Sequence, residues 1–315
     1  MKTIRTVLGE VVPEAQGQVL MHEHVVVGWN GAELDPAAEQ DWDAELERVA
    51  ADFRRLREQH GVTLIVDAGP PDLGRDVRFQ ARLAQASGVA VVASTGWYKQ
   101  WPGLPYYFST LDDEEMDDFL RTELVDGVRD TGIRCGMIKL GSGGASLSEL
   151  ELKAFRSGAR VARELDFPII THTDPEGWAE ANVGLRQLEV LLEAGARAER
   201  IGIGHVCGTA NLEWLMEICR RGAFVAFDRV GMLHRRSDEV RAALIAGLVA
   251  AGFGEQVLVS HDHQAVWRRR GAGAPASGSF EHVHSSFLPL LRRMGLGDAV
   301  IQALMRENPL RLLAG

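Results

Sequence analysis

Short apolar runs recur along the chain, and most of them end on a polar residue. Eight runs of this kind predict eight β-strands. Their carboxyl ends are expected near His24, Asp67, Thr95, Lys139, His172, His205, Asp228 and Asp262. Neighbouring ends are 23 to 44 residues apart, so each interval has room for a loop, a helix and a second loop. The pattern therefore predicts a repeated strand–helix unit.

Helical periodicity fills the intervals between these runs. Apolar residues spaced by three and four predict a helix over 43–60 that ends before Gly61. Ser148 and Glu151 have the spacing of a capping box, which predicts a helix that runs to Leu165. Two more helices are predicted, over 185–193 and 212–221.

Strands that alternate with helices indicate a parallel sheet covered by helices. Eight repeats favour closure into a barrel, and no Gly-x-Gly-x-x-Gly follows the first strand, which argues against a dinucleotide-binding fold. The sequence therefore predicts an α/β protein, a (β/α)8 TIM barrel formed by residues 1–315 as a single domain. A flexible loop is expected over 271–279, after the last strand.

Composition excludes several classes of function. The chain has 315 residues, a hydrophobic fraction of 46% and a formal net charge of −10, which argues against binding to nucleic acid or to an anionic membrane. Three cysteines give no disulfide framework, and the first residues lack an apolar stretch of signal-peptide length. We therefore expect a cytoplasmic enzyme that acts on a small molecule, and a homodimer is compatible with the sequence.

The carboxyl ends of the strands form the active face in barrels of this class. Six residues at or beside the predicted ends have metal-binding or acid–base chemistry: His22, His24, Lys139, His172, His205 and Asp262. His22 and His24 are two residues apart on one strand, so both imidazoles point to the same side. Neutral imidazole is a ligand for transition metals. The set predicts a metal centre, with zinc as the expected ion and cobalt, manganese or iron as alternatives.

Lys139 is unusual in such a set, because a cationic amine repels metal ions. An amine that has reacted with CO2 is an anionic carbamate, whose two oxygens can bridge two ions. Two alternatives stay open for this residue: an ion pair with a carboxylate, and a Schiff base with a carbonyl substrate. The four histidines favour the carbamate, and with it two divalent ions.

Other residues of the same types are interpreted differently. His282 and His284 form a second His-x-His pair, but they lie in sequence with helical periodicity, and we do not expect them to bind metal. Trp97, Trp101 and Trp267 are candidates for the apolar walls of a substrate pocket.

The chain resembles the phosphotriesterase family of the amidohydrolase superfamily over nearly its whole length. The similar segments are Met21-His22-Glu23-His24, Val66-Asp67, Gly74-Arg75-Asp76, Ser94-Thr95-Gly96, Ile138-Lys139, Thr171-His172-Thr173, Gly204-His205, Ser260-His261-Asp262 and Glu307-Asn308-Pro309. The resemblance implies that His22, His24 and Asp262 bind one metal ion. It also implies that the second ion binds to His172 and His205, and that a carboxylated Lys139 bridges the two ions.

Two segments are similar to the lactonase branch of that family. Tyr98 stands where those lactonases have a tyrosine and true phosphotriesterases have tryptophan, and 227–231 is similar to their Asp-Arg-x-Gly segment, with Arg229 as its arginine. Leu104-Pro105-Tyr106-Tyr107-Phe108 is also similar to that branch. The chain departs from it at His263, where lactonases often have tyrosine. Its loop after strand eight is also shorter than in members that cleave acyl-homoserine lactones.

The resemblance and the residues together predict a hydrolase that opens lactones with a hydroxide bridging two metal ions. Asp262 is expected to accept the proton and to pass it to the leaving alkoxide. Tyr98 is expected to hydrogen-bond the lactone, and Arg229 to fix its loop or meet a polar group of the substrate. Hydrolysis of organophosphate triesters is expected as a side activity.

Three other functions fit parts of the sequence. A true phosphotriesterase (aryldialkylphosphatase) would use the same ions on a phosphorus centre, and its substrate would be a phosphotriester. A Schiff-base lyase would use Lys139 as its nucleophile and would survive metal chelation. A non-catalytic binding protein on the same fold is disfavoured, because all six candidate residues are present.

Overall fold

The computed structural model describes residues 3–38, 40–269 and 279–314. The strands in these ranges are β1 Ile4–Thr6, β2 Gly9–Val11, β3 Gln18–Gly28, β4 Val62–Asp67, β5 Ala90–Trp97, β6 Met137–Ser142, β7 Ile169–Thr173, β8 Ile201–Ile203, β9 Phe224–Phe227, β10 Val257–Val259 and β11 Gln264–Arg268. The α-helices are α1 Trp42–His60, α2 Val77–Ser87, α3 Gln100–Gly103, α4 Tyr106–Thr110, α5 Asp113–Val125, α6 Glu149–Leu165, α7 Pro175–Glu180, α8 Val183–Glu193, α9 Leu212–Arg220, α10 Asp238–Ala250, α11 Leu288–Arg293, α12 Asp298–Gln302 and α13 Asn308–Ala314. Two π-helical segments, Val283–Phe287 and Ala303–Glu307, lie next to the last helices.

The main sheet closes into a barrel. Strands β3 to β10 are parallel and neighbour one another in chain order. β11 pairs in parallel with β3, with Gln264 opposite His24 and Arg268 opposite Gly28. Because β11 continues the chain from β10 after a break at 260–263, this pairing joins the last strand to the first. The predicted (β/α)8 barrel is confirmed.

The strand boundaries differ from the predicted ones in a consistent way. β3 runs on to Gly28, β5 to Trp97 and β6 to Ser142, each past the polar residue at which an end was expected. The eighth strand instead pauses at Val259, before Asp262, and resumes as β11. An apolar run marks only the buried centre of a strand, whereas ladder hydrogen bonds continue into its polar end. Of the loop expected over 271–279, residues 271–278 lie outside the described residues.

The core has two parts, one inside the barrel and one between barrel and helices. Val19, Met21 and Leu258 belong to the inner cluster, which Ile4 of β1 and Leu312 of α13 also join. The hairpin of β1 and β2 and the last helix therefore close the amino-terminal end of the barrel, and leave the other end open. No helix in the described ranges is long and apolar enough to cross a membrane.

The amino terminus of α6 holds two loops of the open end together. Ser148 and Glu151 form the predicted capping box, in which Ser148 N donates to Glu151 Oε2 at 2.9 Å and Glu151 N donates to Ser148 Oγ at 3.2 Å. The other carboxylate oxygen, Oε1, accepts hydrogen bonds from Gly143 N (3.1 Å) and Gln100 N (3.2 Å). One glutamate thus fixes the chain that follows β5 and the chain that follows β6.

Gly96 allows β5 to approach Lys139 closely. A Cβ at Gly96 would lie 2.0 Å from the carbonyl oxygen of Lys139, whereas a Cβ at Gly9, which has a similar φ (+107° against +110°), would meet nothing within 4 Å. We expect Gly96→Ala to lower the free energy of unfolding by about 1–3 kcal/mol more than Gly9→Ala, because overpacking adds to the strain that both share. Chemical denaturation measures the difference, and equal losses would contradict it.

Candidate metal centre

The structure brings the predicted ligand residues together at the open end of the barrel, and all are buried. His22 Nε2 lies 3.2 Å from Lys139 Nζ and 3.6 Å from Asp262 Oδ1. His172 Nδ1 lies 2.8 Å from His205 Nε2. Donor atoms of His22, His205 and Asp262 lie within 4.8 Å of one another, which is the spacing of a metal-binding group.

His24 completes the set and leaves one ring nitrogen without a partner. Its Nε2 lies 3.0 Å from Asp262 Oδ1. Its Nδ1 is buried with no hydrogen-bond partner, and the nearest carboxylate oxygen, Asp67 Oδ1, is 3.8 Å away. A cation on Nε2 would place the ring hydrogen on Nδ1, which faces that acceptor. The unpartnered atom therefore fits a metal ligand.

Asp228 directs two of the histidines. Its carboxylate accepts hydrogen bonds from His22 Nδ1 at 2.7 Å and from His205 Nδ1 at 2.8 Å. Hydrogens held on the Nδ1 atoms leave both Nε2 lone pairs turned toward the centre, where metal ligands need them. Burial raises the pKa of Asp228, but His22, Lys139 and Arg229 together outweigh it, so the net pKa lies below the usual range.

Two lone pairs converge between the later histidines. Asp228 accepts from His205 Nδ1, and Asp174 Oδ1 lies 3.0 Å from His172 Nε2. Hydrogens drawn to these outer nitrogens leave His172 Nδ1 and His205 Nε2 facing each other at 2.8 Å. Two facing lone pairs repel each other unless a cation is bound by both. The donor set thus fits the second ion of the predicted pair.

Glu23 fixes the segment that carries Asp262. Its carboxylate accepts hydrogen bonds from Ser260 Oγ (2.8 Å), His261 N (3.0 Å), His261 Nδ1 (2.7 Å) and His263 N (2.9 Å). Burial raises the pKa of Glu23, but His261 and the backbone of His263 offset it, and the net pKa is lowered. The break in the eighth strand is therefore held by one buried charge.

Two candidate ligands have strained backbones. His205 has φ +57° and Asp262 has φ +58°, in the left-handed region that side-chain-bearing residues rarely adopt. Such a conformation costs on the order of 1–3 kcal/mol and persists only where other contacts impose it. His205 N donates to Asp228 Oδ1 at 2.9 Å, and Asp262 N donates to the carbonyl of His22 at 2.9 Å. Strain at these positions is typical of a functional site.

Burial sets the charges of the centre. It lowers the pKa of His172 to about 3 and lowers the pKa of His205 well below its usual value, so both imidazoles are neutral at pH 7. It also lowers the pKa of Lys139 to about 8. Burial raises the pKa of Asp262, but the neighbouring histidines, His205 first, bring it well below its usual range. Asp262 is therefore a carboxylate at neutral pH.

A cavity of about 380 Å³ opens over these residues. Tyr98 lines it and places Oη 3.2 Å from His172 Nε2. Burial raises the pKa of Tyr98, which keeps it a neutral phenol. Arg229 also lines the cavity, and its Nε donates to Asp262 Oδ2 at 3.2 Å. Both residues lie where the sequence predicts a substrate to bind.

The three tryptophans have different positions. Trp267 lines the cavity. Trp97 is fully buried and packs against Phe108 and Phe119, and Trp101 is 81% exposed. The prediction of a pocket wall is therefore wrong for Trp97, because its side chain points from β5 toward the helices rather than into the barrel. Trp101 is not among the described residues that line the cavity.

The two histidines of the second His-x-His pair have different hydrogen-bond partners. His282 Nε2 lies 2.7 Å from Asp238 Oδ2, and His284 Nε2 lies 2.9 Å from Gln18 Oε1. Residues two apart on a helix point in different directions, so the two rings make contacts in different places. The interpretation that they do not form a ligand pair agrees with this geometry.

Several acidic residues of the site were not predicted. Glu23, Asp228 and Asp174 hold the candidate ligands, and Asp72 accepts hydrogen bonds from Tyr98 N at 2.9 and 3.1 Å. Burial raises the pKa of Asp72 to about 7. Asp228 ends a predicted strand, so its position was a usable signal. Nothing in the local sequence of Asp72 indicates its partner.

Glu23→Gln tests the charge that holds the 260–263 segment. The amide would set an N–H group against one of the four donors, and we expect the metal-free protein to lose about 1–3 kcal/mol of unfolding free energy at pH 7. Because the folded-state pKa of Glu23 is lowered, this contribution is present above about pH 4.5 and fades as the pH falls.

Denaturation curves at several pH values measure the difference between wild type and variant. Glu58→Gln, an exposed position on α1, is the control and should change little. A difference that stays constant into acid would contradict the role of the charge.

Comparisons with known proteins agree with this geometry. A sequence model of the Phosphotriesterase family matches residues 2–313. The chain is 29% identical to an aryldialkylphosphatase from Saccharolobus solfataricus, over 93% of each chain. It is 27% identical to a phospho-furanose lactonase from Mycoplasmopsis synoviae, over 99% of this chain and 92% of the other.

Solved structures give the same result. The organophosphorus hydrolase from Deinococcus radiodurans superposes with a TM-score of 0.91 at 33% identity, over 99% of this chain and 97% of the other. A protein engineered for organophosphate hydrolysis from a weak promiscuous lactonase template superposes with a TM-score of 0.90 at 33% identity, over 99% and 100%. With the family match across nearly its whole length, the chain belongs to the phosphotriesterase family.

Proposed function

We propose that this protein is a binuclear-metal hydrolase that opens lactones and hydrolyses organophosphate triesters as a side activity. The observation that carries the proposal is the convergence of four histidines, a lysine and an aspartate beneath a cavity lined by Tyr98. Members of the family are hydrolases, and the family depends on two metal ions. A small-molecule ester is accordingly the substrate class.

The proposed ligands divide into two groups. His22, His24 and Asp262 hold one ion, and His172 and His205 hold the other. The contacts of Asp262 with His24 (3.0 Å) and of His172 with His205 (2.8 Å) support this division. Zinc is the proposed ion, because imidazole and carboxylate ligands suit it.

Lys139 is proposed to bridge the ions as a carboxylated lysine. Its burial lowers the pKa to about 8, so an appreciable fraction of the amine is neutral near pH 7 and able to attack CO2. The amine nitrogen forms a bond to the carbon of CO2 and loses a proton, which leaves an anionic carbamate. That change removes a positive charge from the centre and supplies two oxygen ligands.

Two divalent ions supply Lewis acidity that polarises a carbonyl or phosphoryl oxygen and lowers the pKa of water. Asp262 accepts the proton of the attacking water on its carboxylate and returns it to the leaving alkoxide. Arg229 Nε donates to Asp262 Oδ2, which orients that carboxylate between its partners. Tyr98 presents a neutral hydroxyl to the lactone from the cavity wall.

The second candidate function is a true phosphotriesterase. The relatives named aryldialkylphosphatase and organophosphorus hydrolase favour it. Tyr98 favours the lactonase, since a phenol offers a hydroxyl donor where a tryptophan offers an indole N–H and a broad apolar face.

We also propose that residues 1–315 act as a single catalytic domain in the cytoplasm. The family match over residues 2–313 supports one domain. All three cysteines are free and buried, which suits a reducing compartment.

Metal-reconstituted wild-type protein should bind close to two ions per chain and hydrolyse lactones with a higher kcat/KM than an aryl dialkyl phosphate. Elemental analysis gives the stoichiometry, and a lactone panel with a phosphotriester gives the ratio. Chelated protein is the control and should be inactive. Two bound ions with phosphotriester hydrolysis alone would favour the second candidate function, and activity that survives chelation would favour a Schiff-base lyase.

Tyr98→Phe should slow lactone hydrolysis more than phosphotriester hydrolysis. Loss of a well-placed hydrogen bond to a developing oxyanion costs roughly 2.7–4 kcal/mol, about 10²- to 10³-fold in kcat. A bulky phosphotriester has no ring oxygen to align and should lose little. The comparison of kcat/KM on both substrates measures the effect. Equal losses would indicate that Tyr98 only packs its loop.

A further inference from the structure

An ion pair crosses the end of β6 beside the candidate centre. Lys99 follows β5 and Asp174 follows β7, and Lys99 Nζ contacts Asp174 Oδ2. β6 lies between these two strands in the sheet. The pair is largely shielded from solvent, with 14% and 20% of the side chains exposed. The ion pair therefore joins the loop after β5 to the loop after β7, although β6 lies between those two strands.

Glycines on and after β6 make room for this crossing. A Cβ at Gly141 would lie 2.9 Å from the carbonyl carbon of Tyr98 and 3.1 Å from Lys99 N. A Cβ at Gly143 would lie 3.3 Å from Asp174 Oδ2 and 3.5 Å from Lys99 Cδ. The face of the chain that carries Gly141 and Gly143 thus has no side chain where the pair passes over it.

Asp174 is directed to a histidine rather than to its own helix. It occupies the position before α7, but its side chain makes no capping hydrogen bond there. Its Oδ1 instead lies 3.0 Å from His172 Nε2, while Oδ2 meets Lys99. Oδ1 thus contacts His172, a candidate ligand, and Oδ2 contacts the ammonium group of Lys99.

The contact between Asp174 and His172 determines where the hydrogens of His172 and Tyr98 lie. An Nε2–H on His172 points to Asp174 Oδ1 and also lies 3.2 Å from Tyr98 Oη. Tyr98 then accepts from the imidazole and keeps its own hydroxyl hydrogen free. That hydrogen is available to a substrate in the cavity that Tyr98 lines.

We propose that Asp174, held in place by Lys99, is a positioning residue for His172. The carboxylate fixes the ring so that Nδ1 faces His205, and strengthens it as a ligand of the second ion. Lys99 acts through Asp174 by keeping the carboxylate over the end of β6. The inference rests on the proposed two-ion centre.

The test compares metal binding by four variants with that of wild type. Asp174→Ala removes the acceptor, Asp174→Asn keeps an acceptor oxygen without the charge, Lys99→Met removes the cation, and the last variant combines Lys99→Met with Asp174→Asn. Glu176→Gln, an exposed acid in the first turn of the same helix, is the matched control. Chelator competition against zinc gives the Kd of each of the two ions without any substrate.

We expect Asp174→Ala to raise the Kd of one of the two ions by about 10- to 100-fold, the usual effect of losing a carboxylate behind a ligating histidine. Asp174→Asn and Lys99→Met should have smaller effects, and the double variant should be no worse than Asp174→Asn alone, because Lys99 acts through Asp174. Glu176→Gln should stay within about twofold of wild type. The free energy of unfolding of the metal-free proteins separates this effect from general destabilisation.

A spectroscopic signal gives an independent readout. In zinc-loaded protein labelled with 15N-histidine, the Nε2–H of His172 should be observable and slow to exchange, and it should exchange faster in Asp174→Asn. Kd values within twofold of wild type in both Asp174 variants, with an unchanged signal, would overturn the proposal. Because neither measurement uses a substrate, a failure of the proposed lactonase activity would leave both of them decisive.

Discussion

The open end of the barrel depends on buried carboxylates that are surrounded by hydrogen-bond donors. Glu23 joins β3 to the break in the eighth strand, and Asp228 joins β3 to the chain after β8. Asp67 accepts from Val25 N (2.9 Å) and from Gln80 Nε2 (2.7 Å), which ties β4 to β3 and to α2. A buried carboxyl group is costly unless hydrogen-bond donors surround it, so each of these residues requires several segments to meet at one point.

This constraint explains why the candidate ligands can have strained backbones. His205 holds its left-handed conformation where its N–H group donates to Asp228. Asp262 holds its own between His261 and His263, whose N–H groups both donate to Glu23. Asp228 also turns Nε2 of His22 and of His205 toward the centre. For His205, backbone conformation and ring orientation therefore depend on the same carboxylate.

The sequence predicts most of the barrel because its strands are apolar runs with polar ends. It does not predict β11, whose residues have no long apolar run and whose partner β3 is more than 200 residues away. The candidate ligands could be found because a histidine at a strand end is a rare local signal. The roles of Glu23 and Asp174 could not, because they depend on contacts between loops that only the closed barrel brings together.

The wrong prediction for Trp97 can be corrected from the alternation of side chains along β5. Val91, Ala93 and Trp97 belong to the outer cluster, and Val92 belongs to the inner one. Counting by two along β5 therefore directs Trp97 toward the helices and Tyr98 toward the barrel axis. Strand alternation separates a packing aromatic from a cavity aromatic more reliably than residue type does.

The split eighth strand has a consequence for how such an enzyme can change. β10 fixes the chain before Asp262, and the pairing of β11 with β3 fixes it again afterwards. The chain beyond Arg268 can therefore vary in length without shifting the register of the aspartate. The position of Asp262 and the length of the sequence that follows β11 are set by separate stretches of the chain.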